Sequence, residues 1–269
     1  FTPVLLNLTM IACAIWLAPL LTTPIMALAW GVLIAGIVQL GFQWLPLRQI
    51  NLVPRFKPNF KDPDVKRILT LMLPAMFGVS VSQINLLLDT ILASFLVAGS
   101  VSWLYTAERL TELPLGLIGI AVATVILPTL STKHAEKSDA EFRATIDWAL
   151  KVIFMVGVPA SLAMGILAEP LLASLFHHGQ FDRTDVVKSA MALQALSGGI
   201  LAFMLVKVFA PAFYERQDIK TPVRIGIIAM VANMVFNLML VWHLEHVGLS
   251  LASTLSAFLN AGLLYKGLH

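Results

Sequence analysis

The sequence has little charge and almost no cysteine. Asp, Glu, Lys and Arg make up 12% of its 269 residues, whereas 58% are hydrophobic, and mean hydropathy is +0.86. Soluble domains carry about 25% charged residues, so this composition excludes a water-soluble fold. The single cysteine, Cys13, lies inside an apolar run. A disulfide framework and a cysteine-based metal centre are therefore excluded, and redox chemistry is not expected.

Motifs of several enzyme classes are also missing. The chain contains no P-loop, no nucleophile elbow and no H-E-x-x-H sequence. We therefore expect neither ATP hydrolysis nor any other catalysis. The sequence begins at Phe1 without a basic region before its first apolar run, and its last run ends abruptly at His269. These ends predict an internal fragment of a longer protein.

Apolar runs recur along nearly the whole chain. About 20 helical residues cross roughly 30 Å of hydrocarbon, whereas a membrane barrel would show alternating segments of about 10 residues. The sequence therefore predicts an all-α, polytopic transmembrane bundle of about eight helices. The predicted spans are 3–18, 24–45, 69–98, 101–130, 145–168, 189–212, 222–242 and 247–268. Pro74, Pro114 and Pro128 are the predicted kinks.

The Lys and Arg residues predict the orientation of the chain in the membrane. Positive charge near the ends of spans stays in the cytoplasm. Residues on one predicted side are Arg48, Arg55, Lys57, Lys61, Lys66, Arg67, Lys133, Lys137, Arg143, Lys151, Arg216, Lys220, Arg224 and Lys266. The other side has only Arg183 and Lys188. We expect the first, strongly basic side to be cytoplasmic.

The longest polar connection, residues 47–66, is both basic and rich in proline. It is the predicted boundary between two helical lobes, although a plain cytoplasmic loop would also explain its charge. The predicted units are 1–46, the linker 47–66, and 67–269. No internal repeat is visible.

Two cations, Arg109 and Lys207, fall inside predicted spans. A charged side chain at the centre of a membrane helix costs at least about 2.5–3.5 kcal/mol, so it normally faces a bundle interior or a cavity. Arg109 and Glu112 share one helical face, and a guanidinium suits a phosphate or carboxylate. The alternative is an ion pair that only ties helices together. Lys207 either adds a second positive charge to the same cavity or extends toward the basic side.

A second group of polar residues lies in the third, seventh and eighth spans. Asp89 is the only acid in its span, and Asn85 precedes it by one turn. A buried carboxyl group favours a cation or a proton as its companion. Asn233 and Asn237 lie one turn apart, and Ser253 follows in the last span. Helix-to-helix hydrogen bonds are the alternative for all of these residues.

Three stretches carry a resemblance to a known family. They are YTAERLTELPLGLIGIAVATVILPTLS at 105–131, LLASLFHHGQF at 171–181 and APAFYERQDIKTPV at 210–223. Together they resemble the MurJ (MviN) lipid II flippases of bacteria, whose superfamily includes multidrug and polysaccharide exporters. The resemblance implies two six-helix lobes followed by two further helices. This chain would then hold the last two helices of the first lobe, the linker and the whole second lobe.

The resemblance also implies a function and a site. Such a protein would carry a disaccharide-pentapeptide on undecaprenyl pyrophosphate across the bacterial inner membrane by alternating access. Arg109 and Glu112 match the family's cavity charges, and Lys207 would assist them in binding the substrate. Asp89, Asn233, Asn237 and Ser253 would be ligands for a coupled sodium ion, with a proton as the alternative. Apart from this coupled ion, no cofactor and no metal site is expected.

Other functions stay open on the sequence alone. The chain could export drugs or another polyprenyl-linked saccharide, since one lobe does not reveal the headgroup. It could also be a scaffold of the cell-wall machinery that transports nothing, or a membrane enzyme that acts on the same lipid. An enzyme would need clustered acids and a metal or base at one membrane face. We expect a monomer that binds no nucleic acid.

Overall fold

The computed structural model of the chain describes residues 2–49, 63–135, 139–215, 218 and 220–268. All regular elements within these residues are helices, which confirms the predicted all-α class. The chain divides into two compact units, Phe1–Val65 and Lys66–His269. Residues 50–62 of the predicted linker 47–66 lie outside the described residues, and the assignment of the units to two lobes stays a prediction.

The first unit is a pair of apolar helices. Helix α1, Thr2–Ala12, continues through a π-helical turn, Cys13–Leu17, and a 3-10 turn, Ala18–Leu20. Helix α2, Met26–Gln49, packs beside it. Gly31 permits a close approach here, because a Cβ at this position would lie 3.3 Å from Cys13 Cβ. The two apolar segments match the first two predicted spans.

The second unit contains the remaining helices. They are α3 Pro63–Ser94, α4 Ser100–Ala135, α5 Asp139–Ile166, α6 Ala168–Phe176, α7 Arg183–Ser197, α8 Ile200–Glu215 and α9 Lys220–Leu268. Helix α9 starts next to Asp218, whose Oδ1 accepts a hydrogen bond from Thr221 N at 3.0 Å. Bonding to Thr221 holds the pKa of the Asp218 carboxyl below its usual value.

By length and apolarity, four helical segments of the described residues qualify as membrane spans, or five if a bent pair counts as one span. The four are Thr2–Leu20, Met26–Gln49, Ala144–Ile166 and Lys220–Leu268. The last of these contains two arms, and α3 and α4 are also longer than a bilayer requires. The described residues form eight long helical segments, in agreement with the predicted bundle. They are Thr2–Leu20, α2, α3, α4, α5, the bent pair of α7 and α8, and the two arms of α9.

The sixth predicted span, 189–212, is not the continuous helix that we expected. Helix α7 begins earlier, at Arg183, and meets α8 at a bend of 46°. The bend falls at Gly198 and Gly199, where a Cβ on Gly199 would lie 2.8 Å from Thr254 Oγ1. Thr254 Oγ1 in turn donates to Ala195 O at 2.8 Å. The α7–α8 bend therefore packs closely against Thr254 of α9, because Gly199 has no side chain at the contact.

The structure breaks α9 at Glu245, which has φ 50° and ψ −131°. Residues 220–244 form its first arm and 246–268 its second arm, close to the predicted spans 222–242 and 247–268. Helix α4, by contrast, is unbroken through Pro114 and Pro128, and α3 through Pro74. The predicted kinks at those prolines stay predictions.

Side chains from three helices surround the break in α9. His246 Nε2 donates to Lys188 O at 3.0 Å, and its ring centroid lies 5.0 Å from that of Trp103. Trp103 Nε1 donates to Asp185 Oδ1 at 2.7 Å. Both rings are buried. These contacts connect the starts of α4 and α7 to the break and fix where the second arm begins.

The close packing of the two arms of α9 can be tested at Gly248. A Cβ there would lie only 2.6 Å from the backbone oxygen of Leu240, and overpacking of this kind costs about 1–3 kcal/mol. We expect Gly248→Ala to lower the midpoint of thermal unfolding of the detergent-solubilised, full-length parent protein. Gly262→Ala, on the same arm with nothing within 4 Å of its Cβ position, is the control. Equal midpoints for both variants would contradict the packing described here.

Candidate functional site

Three adjoining cavities, each lined by both apolar and polar side chains, form a trough in the second unit. The Lys207 cavity has a volume of about 430 Å³ and lies among α3, α4, α8 and both arms of α9. The bridging cavity, about 240 Å³, shares Asn85, Leu115, Phe203 and Ser256 with it. The Arg109 cavity has a volume of about 230 Å³. It shares four other lining residues with the bridging cavity: Leu86, Asp89, Glu108 and Glu112. The trough therefore connects Lys207 with Arg109.

Arg109 and Glu112 form an ion pair on α4. The Arg109 Nη1 to Glu112 Oε2 distance is 2.9 Å, and the two side chains are 55% and 64% exposed. The guanidinium carbon of Arg109 also lies 4.9 Å from the centre of the Tyr105 ring, a cation–π geometry. Both partners belong to one helix, so this pair does not tie two helices together. Both side chains line the Arg109 cavity and are more than half exposed.

Lys207 and Arg109 line different cavities of the trough. The two alternatives that the sequence left open for Lys207 stay predictions. Lys207 projects from α8 into the Lys207 cavity, whereas Arg109 projects from α4 into the Arg109 cavity. Asn85 and Asp89 of α3, both lining the bridging cavity, lie between them. The sequence shows that both cations are in spans but not how far apart their helices place them.

The structure brings Asp89, Asn233, Asn237 and Ser253 together, as the resemblance to the MurJ family implied. Asn237 Nδ2 donates to Asp89 Oδ1 at 2.6 Å and to Asn233 Oδ1 at 2.9 Å. Ser253 Oγ and Asn85 Nδ2 each lie 3.5 Å from Asp89 Oδ2. Asp89, Asn233 and Asn237 are all buried. We call these five residues the Asp89 cluster.

The Asp89 cluster is rich in oxygen atoms. Asn237 Oδ1 is buried and has no hydrogen-bond partner among the described residues. If the O and N atoms of the Asn233 amide are exchanged, its nitrogen donates to Asn85 Oδ1 at 2.9 Å and its oxygen accepts from Ser253 N at 3.2 Å. Carboxylate, amide and hydroxyl oxygens are ligands for hard cations. The donor set therefore fits a cation such as sodium, although Asp89 is its one carboxylate.

Sequence reasoning missed several residues that line the trough. Glu108 borders both the Arg109 cavity and the bridging cavity. Ser256, Asn260 and Tyr214 border the Lys207 cavity. A helical-period search would have found two of them, because positions 253, 256 and 260 share one helix face. No group of three His, Cys, Asp or Glu side chains within the described residues forms a metal site.

Comparison with known proteins identifies the family. The family model described as "Lipid II flippase MurJ" matches residues 1–269. The chain belongs to the MurJ family. It is 53% identical to the "Probable lipid II flippase MurJ" of Vibrio cholerae over its full length, which is 51% of that protein. Identity to the "Lipid II flippase MurJ" of Burkholderia cenocepacia is 42%, over all of this chain and 53% of that protein.

Solved structures agree on the fold. A structure of lipid II flippase MurJ in an inward closed conformation matches 99% of this chain and 55% of its own, with a TM-score of 0.80 and 24% identity. A MATE transporter in the bent conformation matches 74% of this chain and 44% of its own, with a TM-score of 0.62 and 18% identity. The chain spans about half the length of the curated MurJ relatives that it matches.

The hydrogen bond from Asn237 to Asp89 should contribute to stability. A buried polar group that loses its partner costs about 1–3 kcal/mol, and Asn237 makes the shortest side-chain contact to Asp89. We expect Asn237→Ala to lower the unfolding midpoint of the purified full-length parent by several degrees. Asn260→Ala, at a half-buried position on the second arm of α9, is the control and should change the midpoint little. A larger loss in the control would contradict this account.

Proposed function

We propose that the full-length protein containing this chain is a flippase for lipid-linked peptidoglycan precursor. It would move the headgroup from the cytoplasmic to the periplasmic leaflet of the bacterial inner membrane by alternating access. Membership of the MurJ family supports this proposal. The observation that carries it is the trough, because its three adjoining cavities hold charged and polar side chains inside a unit built of apolar helices.

The trough supplies what translocation of such a headgroup requires. Sugars, peptide and pyrophosphate cannot cross hydrocarbon without losing their hydration, so the protein must offer a polar path. Ionisable residues inside membrane helices mark such paths. We propose that Arg109, Glu112 and Lys207 contact the headgroup, with Glu112 holding Arg109 charged and oriented. This is a transport role that needs no catalytic residue.

We further propose that the Asp89 cluster binds the coupling cation. Its ligands come from α3 and from both arms of α9, so binding would pull three helical segments together. Movement of one charge through 100 mV supplies about 2.3 kcal/mol. Sodium fits the neutral amide and hydroxyl oxygens, and protonation of Asp89 is the alternative. The protein would work as a monomer.

The role of Arg109 can be tested in cells that depend on the full-length parent. We expect Arg109→Ala to reduce the lipid II headgroup exposed at the outer leaflet at least about tenfold, equivalent to roughly 1.4 kcal/mol, at normal membrane levels. The reason is that loss of the guanidinium leaves the neighbouring carboxyl groups uncompensated.

Arg183→Ala is the matched control for this experiment. Arg183 is also exposed and also paired, with Glu169, but it lies outside the trough. Its loss should leave accessibility unchanged. Normal lipid II accessibility in cells with Arg109→Ala would favour a scaffold that transports nothing. If the protein exports a different saccharide, lipid II accessibility should stay normal in cells that lack the protein altogether.

The coupling ion can be identified on purified full-length parent. We expect NaCl to raise its unfolding midpoint more than KCl at equal concentration, because only a bound ion stabilises beyond ionic strength. Asp89→Asn should abolish the difference, and Asn237→Asp should enlarge it by adding a second carboxylate. A response to pH with no sodium preference would instead identify protonation of Asp89. Thr90→Val, adjacent to Asp89 but outside the cluster, should behave as the unmodified protein.

A further inference from the structure

The break in α9 lies at a buried junction of three helices. His246, at the start of the second arm, and Trp103 of α4 are 1% and 6% exposed, and their ring centroids lie 5.0 Å apart. Trp103 Nε1 donates to Asp185 Oδ1 of α7 at 2.7 Å. His246 Nε2 bonds to Lys188 O of α7 at 3.0 Å. The imidazole of His246 therefore connects the second arm to both α4 and α7 at this end.

The hydrogen bonds of His246 define the form of its ring. A carbonyl oxygen only accepts, so Nε2 carries a hydrogen. Nδ1 is buried and has no hydrogen-bond partner among the described residues. A proton on Nδ1 would create a buried, charged N–H group without an acceptor, which is costly. The junction therefore favours the neutral imidazole.

The charged groups around the ring come from α7 and from the break itself. Lys188 places its ammonium nitrogen 5.9 Å from the centre of the Trp103 ring, so a protonated His246 would add a second positive charge there. The carboxylate of Asp185 already accepts from Trp103 Nε1 and from a backbone N–H at the start of α7. Glu245 precedes His246 but is exposed, and water screens exposed charges. The helix α4 contributes the uncharged Trp103.

The backbone at the break depends on these contacts. Glu245 has φ 50°, and a residue with a side chain stays in such a conformation only where its surroundings hold it. The contacts of His246, the next residue, hold the chain directly after this strained position. Loss of the contacts would therefore free the second arm to move at the break.

We propose that His246 is a proton-binding site that keeps the start of the second arm docked on α4 and α7 only while its ring is neutral. The ligand is a proton, which binds at Nδ1 and converts the ring to an imidazolium. The site is separate from the Asp89 cluster and goes beyond the proposed transport function. Its location beside Lys188 is on the side of the membrane that the charge pattern predicts to be non-cytoplasmic, so it would respond to external pH.

Acid should open this junction. In an opened junction the hydrated imidazole takes up a proton at about pH 6.5, the usual value for histidine. The open state then binds more protons than the closed state, so the free energy of opening falls as the pH drops below that value. Between about pH 7.5 and about pH 5.5, the opening equilibrium should rise by up to about tenfold.

Amide hydrogen exchange of the detergent-solubilised, full-length parent measures this opening. Peptides that cover 243–252 report on the junction, and peptides that cover 256–266 report on the same arm farther away. After correction for the intrinsic effect of pH on exchange, protection of 243–252 should fall about three- to tenfold between the two pH values. Protection of 256–266 should change little. Equal protection of 243–252 at both pH values would overturn the proposal.

Histidine variants show whether His246 causes the response. His246→Gln keeps a donor for Lys188 O but does not titrate, so its protection should be the same at both pH values. His243→Gln, at an exposed position of the first arm, is the matched control and should keep the response. A response that survives His246→Gln, or one that His243→Gln abolishes, would contradict a proton site at His246.

Two further variants keep the test independent of how well His246→Gln folds. Lys188→Gln removes the ammonium group and retains the carbonyl that bonds His246, so it should move the response to higher pH. A shift to lower pH would count against the proposal. Asp89→Asn should leave the response intact. If it abolishes the response, the titrating group is the Asp89 cluster, and the proton site at His246 is excluded whatever the protein transports.

Discussion

The structure of the second unit depends on keeping one carboxyl group, that of Asp89, inside a bundle of apolar helices. Burying an acid in such surroundings is costly unless polar groups surround it. Asn237 and Ser253 supply those groups from the two arms of α9, and Asn85 supplies another from one turn away. Since both arms reach the same carboxyl group, they turn back on each other and contact α3 through these hydrogen bonds.

The breaks in the helices follow from that requirement. Glu245 takes a left-handed conformation that is strained for a residue with a side chain, and Gly248 lets the arms approach within contact distance. The bend between α7 and α8 lies against Thr254 of the second arm, one residue beyond Ser253. The second arm of α9, which supplies Ser253 to the Asp89 cluster, is thus also packed against the α7–α8 bend, beside the start of the helix that carries Lys207.

The sequence alone predicted the bundle, whereas the grouping of Asp89 with Asn233, Asn237 and Ser253 came from the resemblance to the MurJ family and did not include Asn85. Long apolar runs set the spans, and polar residues inside them must meet one another because lipid offers no partner. The bend at Gly199 could not be predicted, because glycine within an apolar run is compatible with a straight helix. The assignment of Arg109 and Lys207 to different cavities was equally hidden, since it depends on how α4 and α8 pack against each other.

Separation of the two cations changes how the trough can work. If both had faced one cavity, an anionic headgroup would bind there with nothing to direct it along the path. Carboxyl groups surround Arg109, whereas Lys207 is the one charged side chain among the described residues that line its own cavity. A cation that binds the cluster lowers the negative charge between the two ends. Under the proposed function, occupancy of the cluster would therefore change the electrostatic field that an anion meets along the trough.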